Sequence, residues 1–286
     1  MIERISILGT GLLGTSVGLA LRAAGFRGSI VGWNRGVEGA RLALEAGAID
    51  AIAADPLQAA RESQVVVLAV PIYATLDFME KLAGVLGPEH LVTDVGSTKG
   101  KISEAAERLF NTPERAAFLP GHPMAGKERG GAALGDAELF RNRVWLFTDD
   151  ASWQRSAQAA ELVKEWREWV VAMGSKCIDL DPARHDELVA WVSHLPQFVA
   201  TALSALLEET VGDAPELKDV GGRALSEMTR LGASPYSMWR DIALTNTEAV
   251  QATLLALELR LAHLRENLRT PELREEFEQA NKFRRE

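Results

Sequence analysis

The stretch "ISILGTGLLGTSVGLALRAAG", residues 5–25, sets the strongest limit on what this chain can fold into. An apolar run is followed at once by Gly9, Gly11 and Gly14 at GxGxxG spacing, and then by a helical pattern. At this spacing Gly9 permits the tight turn, Gly11 removes the Cβ that would block a pyrophosphate, and Gly14 lets the helix approach the strand. The helix N-terminus then offers unpaired N–H groups to a phosphate, so the motif's placement points to a dinucleotide. Farther on, "SIVGW", "VVVLAV", "LVTDV", "AAFL" and "RVWLF" alternate with helical patterns, which predicts a parallel sheet with helices on both faces. The pattern "ASWQRSAQAAELVKEWREWVVAMG", closed by Gly174, predicts an amphipathic helix, and "KCIDL" one last strand. From Asp181 and Pro182 onward strand signals stop, and leucine and alanine recur at helical spacing. The expected division is therefore an α/β domain over 1–180 and a helical domain over 181–286.

Charge limits the partners. A formal net charge of -9 repels phosphate backbones and anionic lipid, so neither nucleic acid nor a membrane surface is expected to bind. No run of consecutive apolar residues reaches the 18 or so needed to span a bilayer. A single cysteine, Cys177, cannot form an internal disulfide, and "MIERISILG" runs into a strand pattern without a signal-peptide layout, so a cytoplasmic protein is expected. No HExxH or paired Cys/His spacing suggests a metal. The leucines at 254, 257, 261, 264 and 268 form a stripe that packs either within the chain or against a second copy, and a homodimer through the helical half is the expected assembly.

The second strand ends at Asn34 and Arg35, where NAD-binding chains usually carry a carboxylate for the ribose hydroxyls. An arginine can pair with a 2′-phosphate, so NADP is favoured over NAD. Leu12 and Leu13 at the helix start, and Val70 and Pro71 after the strand "VVVLA", complete the expected cofactor-binding set. Ligands in open parallel sheets sit beyond the carboxyl ends of the strands. Two such ends deliver Ser97 in "LVTDVGSTKG" and His122 in "FLPGHPMAG". An imidazole there suits proton transfer near neutral pH, and the competing reading is a turn histidine bonded to backbone. In the helical half, His185 and His194 are either site or core histidines. Glu227, Arg230, Trp239, Arg240, Asp241 and Asn246 crowd a Gly/Ser/Pro-interrupted stretch that suits a pocket wall.

Taken in order, "GTGLLGTS", "DVGSTKG", "GHPMAGKE", "HDELVAWVSHLPQ" and "MTRLGASPYSMWRDIALTN" resemble the successive motifs of the TyrA enzymes, the prephenate and arogenate dehydrogenases. The resemblance spans residues 5 to about 250. It implies an N-terminal Rossmann-like domain, an all-helical dimerisation domain, and an active site between them. Carried over, it implies oxidative decarboxylation of prephenate to 4-hydroxyphenylpyruvate, or of arogenate to tyrosine, with hydride transfer to NAD or NADP. His122 would be the base for the ring 4-hydroxyl, with Ser97 bonded to that base. Arg230 would hold a substrate carboxylate, His194 and Trp239 would line the pocket, and Glu128 would help gate it. Gln197 stands where many relatives have a second histidine, and its amide would still donate a hydrogen bond to the substrate's pyruvyl side chain. Glu227, also expected to bind substrate, stands where many have aspartate, so prephenate and arogenate both stay open. At 286 residues the chain leaves no room for a regulatory ACT domain or a fused chorismate mutase. The competing readings are a β-hydroxyacid dehydrogenase-like oxidoreductase, which would call for a lysine in the helical domain, and a non-catalytic NAD(P)-sensing protein.

Overall fold

The computed structural model describes residues 1–285, except for the side chain of Lys218. Its N-terminal half is a βα alternation: β1 (Arg4–Leu8), α1 (Leu12–Ala23), β2 (Ser29–Trp33), α2 (Val37–Glu45), β3 (Ala51–Ile52), α3 (Pro56–Arg61), β4 (Val65–Leu68), α4 (Ile72–Ala83), β5 (Leu91–Asp94), α5 (Gly100–Phe110) and β6 (Ala117–Leu119). The strands form a parallel sheet in the order β3-β2-β1-β4-β5-β6. Ile5, Ile7, Val65, Val67 and Leu91 face one core with α1 and the later helix α6 (Ala157–Ala172). Leu8, Val66, Leu68 and Val92 face another with α4 and α5. Burial on both faces is why the strands read as unbroken apolar runs.

A second sheet departs from the single one expected. At Pro120, which has no N–H for the ladder, the chain leaves β6 and starts β7 (Gly121–Pro123). β7 pairs antiparallel with β8 (Val144–Phe147), and β8 pairs parallel with β9 (Lys176–Asp179). β7 passes hard against the end of β5: a Cβ on Gly121 would lie 2.8 Å from the carbonyl oxygen of Asp94 and 2.9 Å from Nε1 of Trp145. Ser156 caps α6 by accepting from the Ala159 N–H, and Gly174 closes that helical stretch at a φ of +90°.

Beyond β9 every element is helical: α7 (Pro182–Val189), a π-helical turn (Ala190–His194), α8 (Leu195–Val211), α9 (Leu217–Val220), α10 (Gly222–Thr229), a 3-10 turn (Arg230–Ala233), α11 (Tyr236–Thr245), α12 (Thr247–Glu266) and α13 (Glu272–Arg285). Asp181 caps α7 through the N–H groups of Ala183 and Arg184, with Pro182 at the first turn. Through the π-turn, Pro182–Val211 runs as one helix that holds an 18-residue window of mean hydropathy 1.2, a composition that core helices share with membrane spans. Polar residues interrupt that window, so it is not an unbroken apolar run and the expectation drawn from consecutive apolar residues stands. The interruptions are informative: Asp186, His194 and Gln197 on this helix are buried and bonded to other elements. The two halves interlock, since Ile242 of α11 joins the α4/α5 core and the Thr98 and Thr245 hydroxyls bond at 2.8 Å. The leucine stripe of α12 is only partly covered: Leu254, Leu257 and Leu264 are half-buried, while Leu261 and Leu268 are exposed. Leu255, Leu259, Leu206 and Phe277 are exposed as well.

Candidate active site

The glycine loop lies at the switch point of the sheet, where strand order reverses between β1 and β4. Gly9 adopts a φ of +103°, and a Cβ there would stand 2.4 Å from the carbonyl oxygen of Ala69. On Gly14 a Cβ would stand 1.9 Å from the carbonyl oxygen of Gly9. Gly11 is different: a Cβ there would meet nothing within 4 Å. Packing does not require glycine at 11, whereas a group lying across the start of α1 would. Gly11 caps α1 without a side-chain bond, no acidic residue occupies the first turn, and Leu12 and Leu13 open the helix. The residues therefore fit a dinucleotide pyrophosphate. Val70 and Pro71 follow β4, with Val70 in van der Waals reach of Gly9. Beside β2, the Asn34 amide donates to the carbonyl of Gly36 at 2.9 Å. Arg35 is exposed, and among the described residues it makes no ion pair.

Across the sheet, the end of β5 holds a buried charge pair. Asp94 and Lys99, both with fully buried side chains, meet at 2.7 Å. Asp94 also accepts from the N–H of Gly96 at 2.7 Å and of Gly121 at 3.0 Å. One carboxylate thereby ties the loop carrying Ser97 to the strand carrying His122. His122 was expected just after a strand; it lies inside β7, opposite Leu146, because Pro120 ends β6 and the chain re-enters a different sheet.

Nδ1 of His122 lies 2.9 Å from Nε2 of His185, and Nδ1 of His185 lies 2.8 Å from Oδ1 of Asp186. Asp186 in turn accepts from the N–H of Lys99 at 2.7 Å and of Gly100 at 2.8 Å, so a carboxylate from α7 caps α5, which has no cap of its own. The expected hydrogen bond from Ser97 to His122 is not formed. The half-buried Ser97 hydroxyl has no bond among the described residues, and His185 takes the Nδ1 position instead. Sequence reasoning leaves His185 open between site and core and misses Asp186, although "RHDE" stands at a helix start. Nothing local shows that this helix start abuts α5.

Burial disfavours the charged form of all three rings, His122, His185 and His194. Burial, then the neighbouring His185, Lys99 and His194, hold His122 well below the ordinary histidine value. Burial also lowers His185, against the opposing pull of Asp186, and brings His194 down to about 4. Burial alone would raise Asp186, but hydrogen bonds from His185 and two backbone N–H groups bring it below the usual carboxylate range. Among the described residues no three His, Cys, Asp or Glu side chains are placed to hold a metal ion.

His194 is 1% exposed and meets the Asn246 amide at 3.4 Å, and Trp239 packs edge-on to it at 5.9 Å. The Arg230 guanidinium, exposed on the 3-10 turn, forms an ion pair with Glu128 from the loop that follows β7. The helical domain's arginine is thus tied to the loop that follows the His122 strand. Gln197 is buried, and its amide donates to the Leu231 carbonyl at 2.7 Å while accepting from Ser234 at 3.1 Å. Its amide secures the turn that carries Arg230. Glu227 is not brought into this cluster; it is exposed on α10 and pairs with Arg223 at 2.6 Å.

The comparisons with known proteins fall on both halves. Residues 17–173 match the prephenate dehydrogenase nucleotide-binding domain model, and residues 181–282 the prephenate dehydrogenase dimerization domain model. The chain is 31% identical over 247 residues to the prephenate dehydrogenase of Lactococcus lactis, covering 86% of this chain and 66% of that one, so it spans somewhat less than two thirds of that relative. Prephenate dehydrogenase from A. aeolicus, solved in complex with hydroxyphenyl propionate and NAD+, superposes with a TM-score of 0.84 at 28% identity, covering 100% of this chain and 96% of that one. Synechocystis arogenate dehydrogenase gives 0.76 at 29% identity, covering 98% of each chain. Matched over both its α/β half and its helical half by the two domain models of one family, the chain belongs to the prephenate dehydrogenase family.

Proposed function

We propose that the chain catalyses the NAD(P)-linked oxidative decarboxylation of prephenate, or of its amino counterpart arogenate. The observations that carry this reading are a buried His122 in β7 and, on the loop that follows β7, Glu128 in an ion pair with Arg230 of the helical half. Nε2 of His122 makes no protein hydrogen bond among the described residues, yet it is not a fully buried orphan atom. It is therefore free to accept the proton of the substrate's 4-hydroxyl. The Ser97 hydroxyl contacts the same oxygen. The nicotinamide, when bound, supplies the acceptor for the hydride leaving C4. The bond from the ring to its carboxylate then breaks, carbon dioxide departs, and the electron pair completes the aromatic ring. The resulting phenolate recovers a proton from His122. Arg230 leaves Glu128 to pair with a substrate carboxylate, which lets an acidic protein hold a dianion. His194 and Trp239 wall the pocket, and Gln197 supports the Arg230 turn.

The pyrophosphate is held by the loop of Gly9, Gly11 and Gly14 and by the backbone of Leu12 and Leu13, flanked by Val70 and Pro71. Arg35 and Asn34 meet the ribose, and the free guanidinium favours NADP. The active form is a homodimer whose contact is the uncovered apolar face of α8, α12 and α13, in a cytoplasmic enzyme divided near residue 180. Steady-state rates with prephenate and arogenate, each with NAD and NADP, test the reading. Turnover with at least one pair, and an Arg35→Ala penalty larger for NADP than for NADP-free assays with NAD, are expected. No turnover with any pair refutes the activity, and equal penalties refute the NADP preference.

A further inference from the structure

His122, His185 and Asp186 form a linear chain whose hydrogen-bond polarity is fixed at one end. The Asp186 carboxylate, already accepting from two backbone N–H groups, can only accept from His185 as well, so Nδ1 of a neutral His185 carries its proton. Nε2 of His185 is then a bare lone pair, 2.9 Å from Nδ1 of His122. That contact is a hydrogen bond only if Nδ1 of His122 carries the proton.

We propose that His185 and Asp186 are positioning residues that hold His122 as its Nδ1–H tautomer, leaving the Nε2 lone pair to face the substrate. The inference rests on the role assigned above to His122 and adds what makes that ring a base at the correct nitrogen. When Nε2 takes the hydroxyl proton, the ring becomes an imidazolium, and its Nδ1–H still donates to His185. The Asp186 charge lies at the far end of the chain and offsets the new positive charge. No proton crosses to His185, and every bond in the chain survives the step. The other charged or titratable neighbours are Lys99 and His194, which disfavour the imidazolium, and Asp94, which neutralises Lys99.

The ring nitrogens can be read without substrate by long-range ¹H–¹⁵N correlation of uniformly labelled protein, with His122→Asn used to assign the signals. In the parent protein the expected pattern is a protonated Nδ1 and an unprotonated Nε2 on His122. In His185→Leu, which offers no acceptor, mixed tautomers are expected, with kcat lower by about 10² and KM unchanged. In His185→Gln, whose terminal amide oxygen can occupy the Nε2 position, the parent tautomer returns with most of kcat. An Nε2–H tautomer in the parent, or a His185→Leu protein with parental tautomer and kcat, overturns the proposal. If no cyclohexadienyl substrate is turned over, the functional reading fails while the tautomer is still decided by the spectrum.

Discussion

Replacing Lys99 by methionine exposes how the site is moored. Both partners of the Asp94–Lys99 pair are fully buried, and the carboxylate also holds Gly96 and Gly121 by their N–H groups. With the ammonium gone, the carboxylate keeps its backbone donors but loses its buried counter-charge. Breaking a buried pair in this way costs about 3–5 kcal/mol, a large part of the roughly 5–15 kcal/mol by which domains are stable. Asp94→Asn/Lys99→Met removes both charges and can keep a backbone bond, so the double variant should lose less than the single one. Urea unfolding followed by tryptophan fluorescence measures both. A second consequence is kinetic: burial and His185 depress His122 most, but Lys99 adds to them. The acid limb of kcat/KM should therefore move upward in Lys99→Met. A single variant within about 1 kcal/mol of the parent, or a double variant no more stable than the single, would refute the reasoning.

Further expectations concern the two ligand sites and pH. Gly11→Ala should fold normally, because its Cβ meets nothing, yet weaken NAD(P) binding; Gly14→Ala should destabilise the protein, because its Cβ collides with the Gly9 carbonyl. Calorimetry and cofactor titration separate the two. Arg230→Gln should raise the substrate KM with kcat little changed, since the guanidinium acts in the ground state; an unchanged KM removes it from the pocket. His194 has a folded pKa of about 4 against an ordinary 6.5. The unfolded chain therefore takes up that proton first, and up to about 3 kcal/mol present above pH 6.5 is lost as pH falls to 4. His194→Gln should flatten that slope of Tm against pH. Leu255→Glu and Leu259→Glu should yield monomers by light scattering if the uncovered face of α12 is the dimer contact.

What the sequence shows is what is local. The β1–α1 fingerprint places its three glycines within six residues and needs no distant partner, so the fold of the nucleotide half could be read directly. β7 could not, because three residues between Pro120 and Met124 carry no periodicity and exist as a strand only where β8 offers an edge. The carboxylate that caps α5 comes from a residue 86 positions away, and only the interlocking of the two domains reveals it. His185 was visible as a histidine at a helix start, but its contact with His122 was not. Gln197 illustrates the reverse: its position suggested a substrate contact, whereas its donors and acceptor hold the turn below Arg230.

The central claim is that His122 removes the hydroxyl proton of a cyclohexadienyl substrate as hydride and carbon dioxide leave. The most direct test is to measure reduced nicotinamide and carbon dioxide together, for the parent enzyme and for His122→Asn. Equal amounts of both products from the parent, with a loss of about 10² to 10⁴ in rate for the variant, are predicted. Retention of most of the rate by His122→Asn, or reduced nicotinamide formed without carbon dioxide, would contradict it.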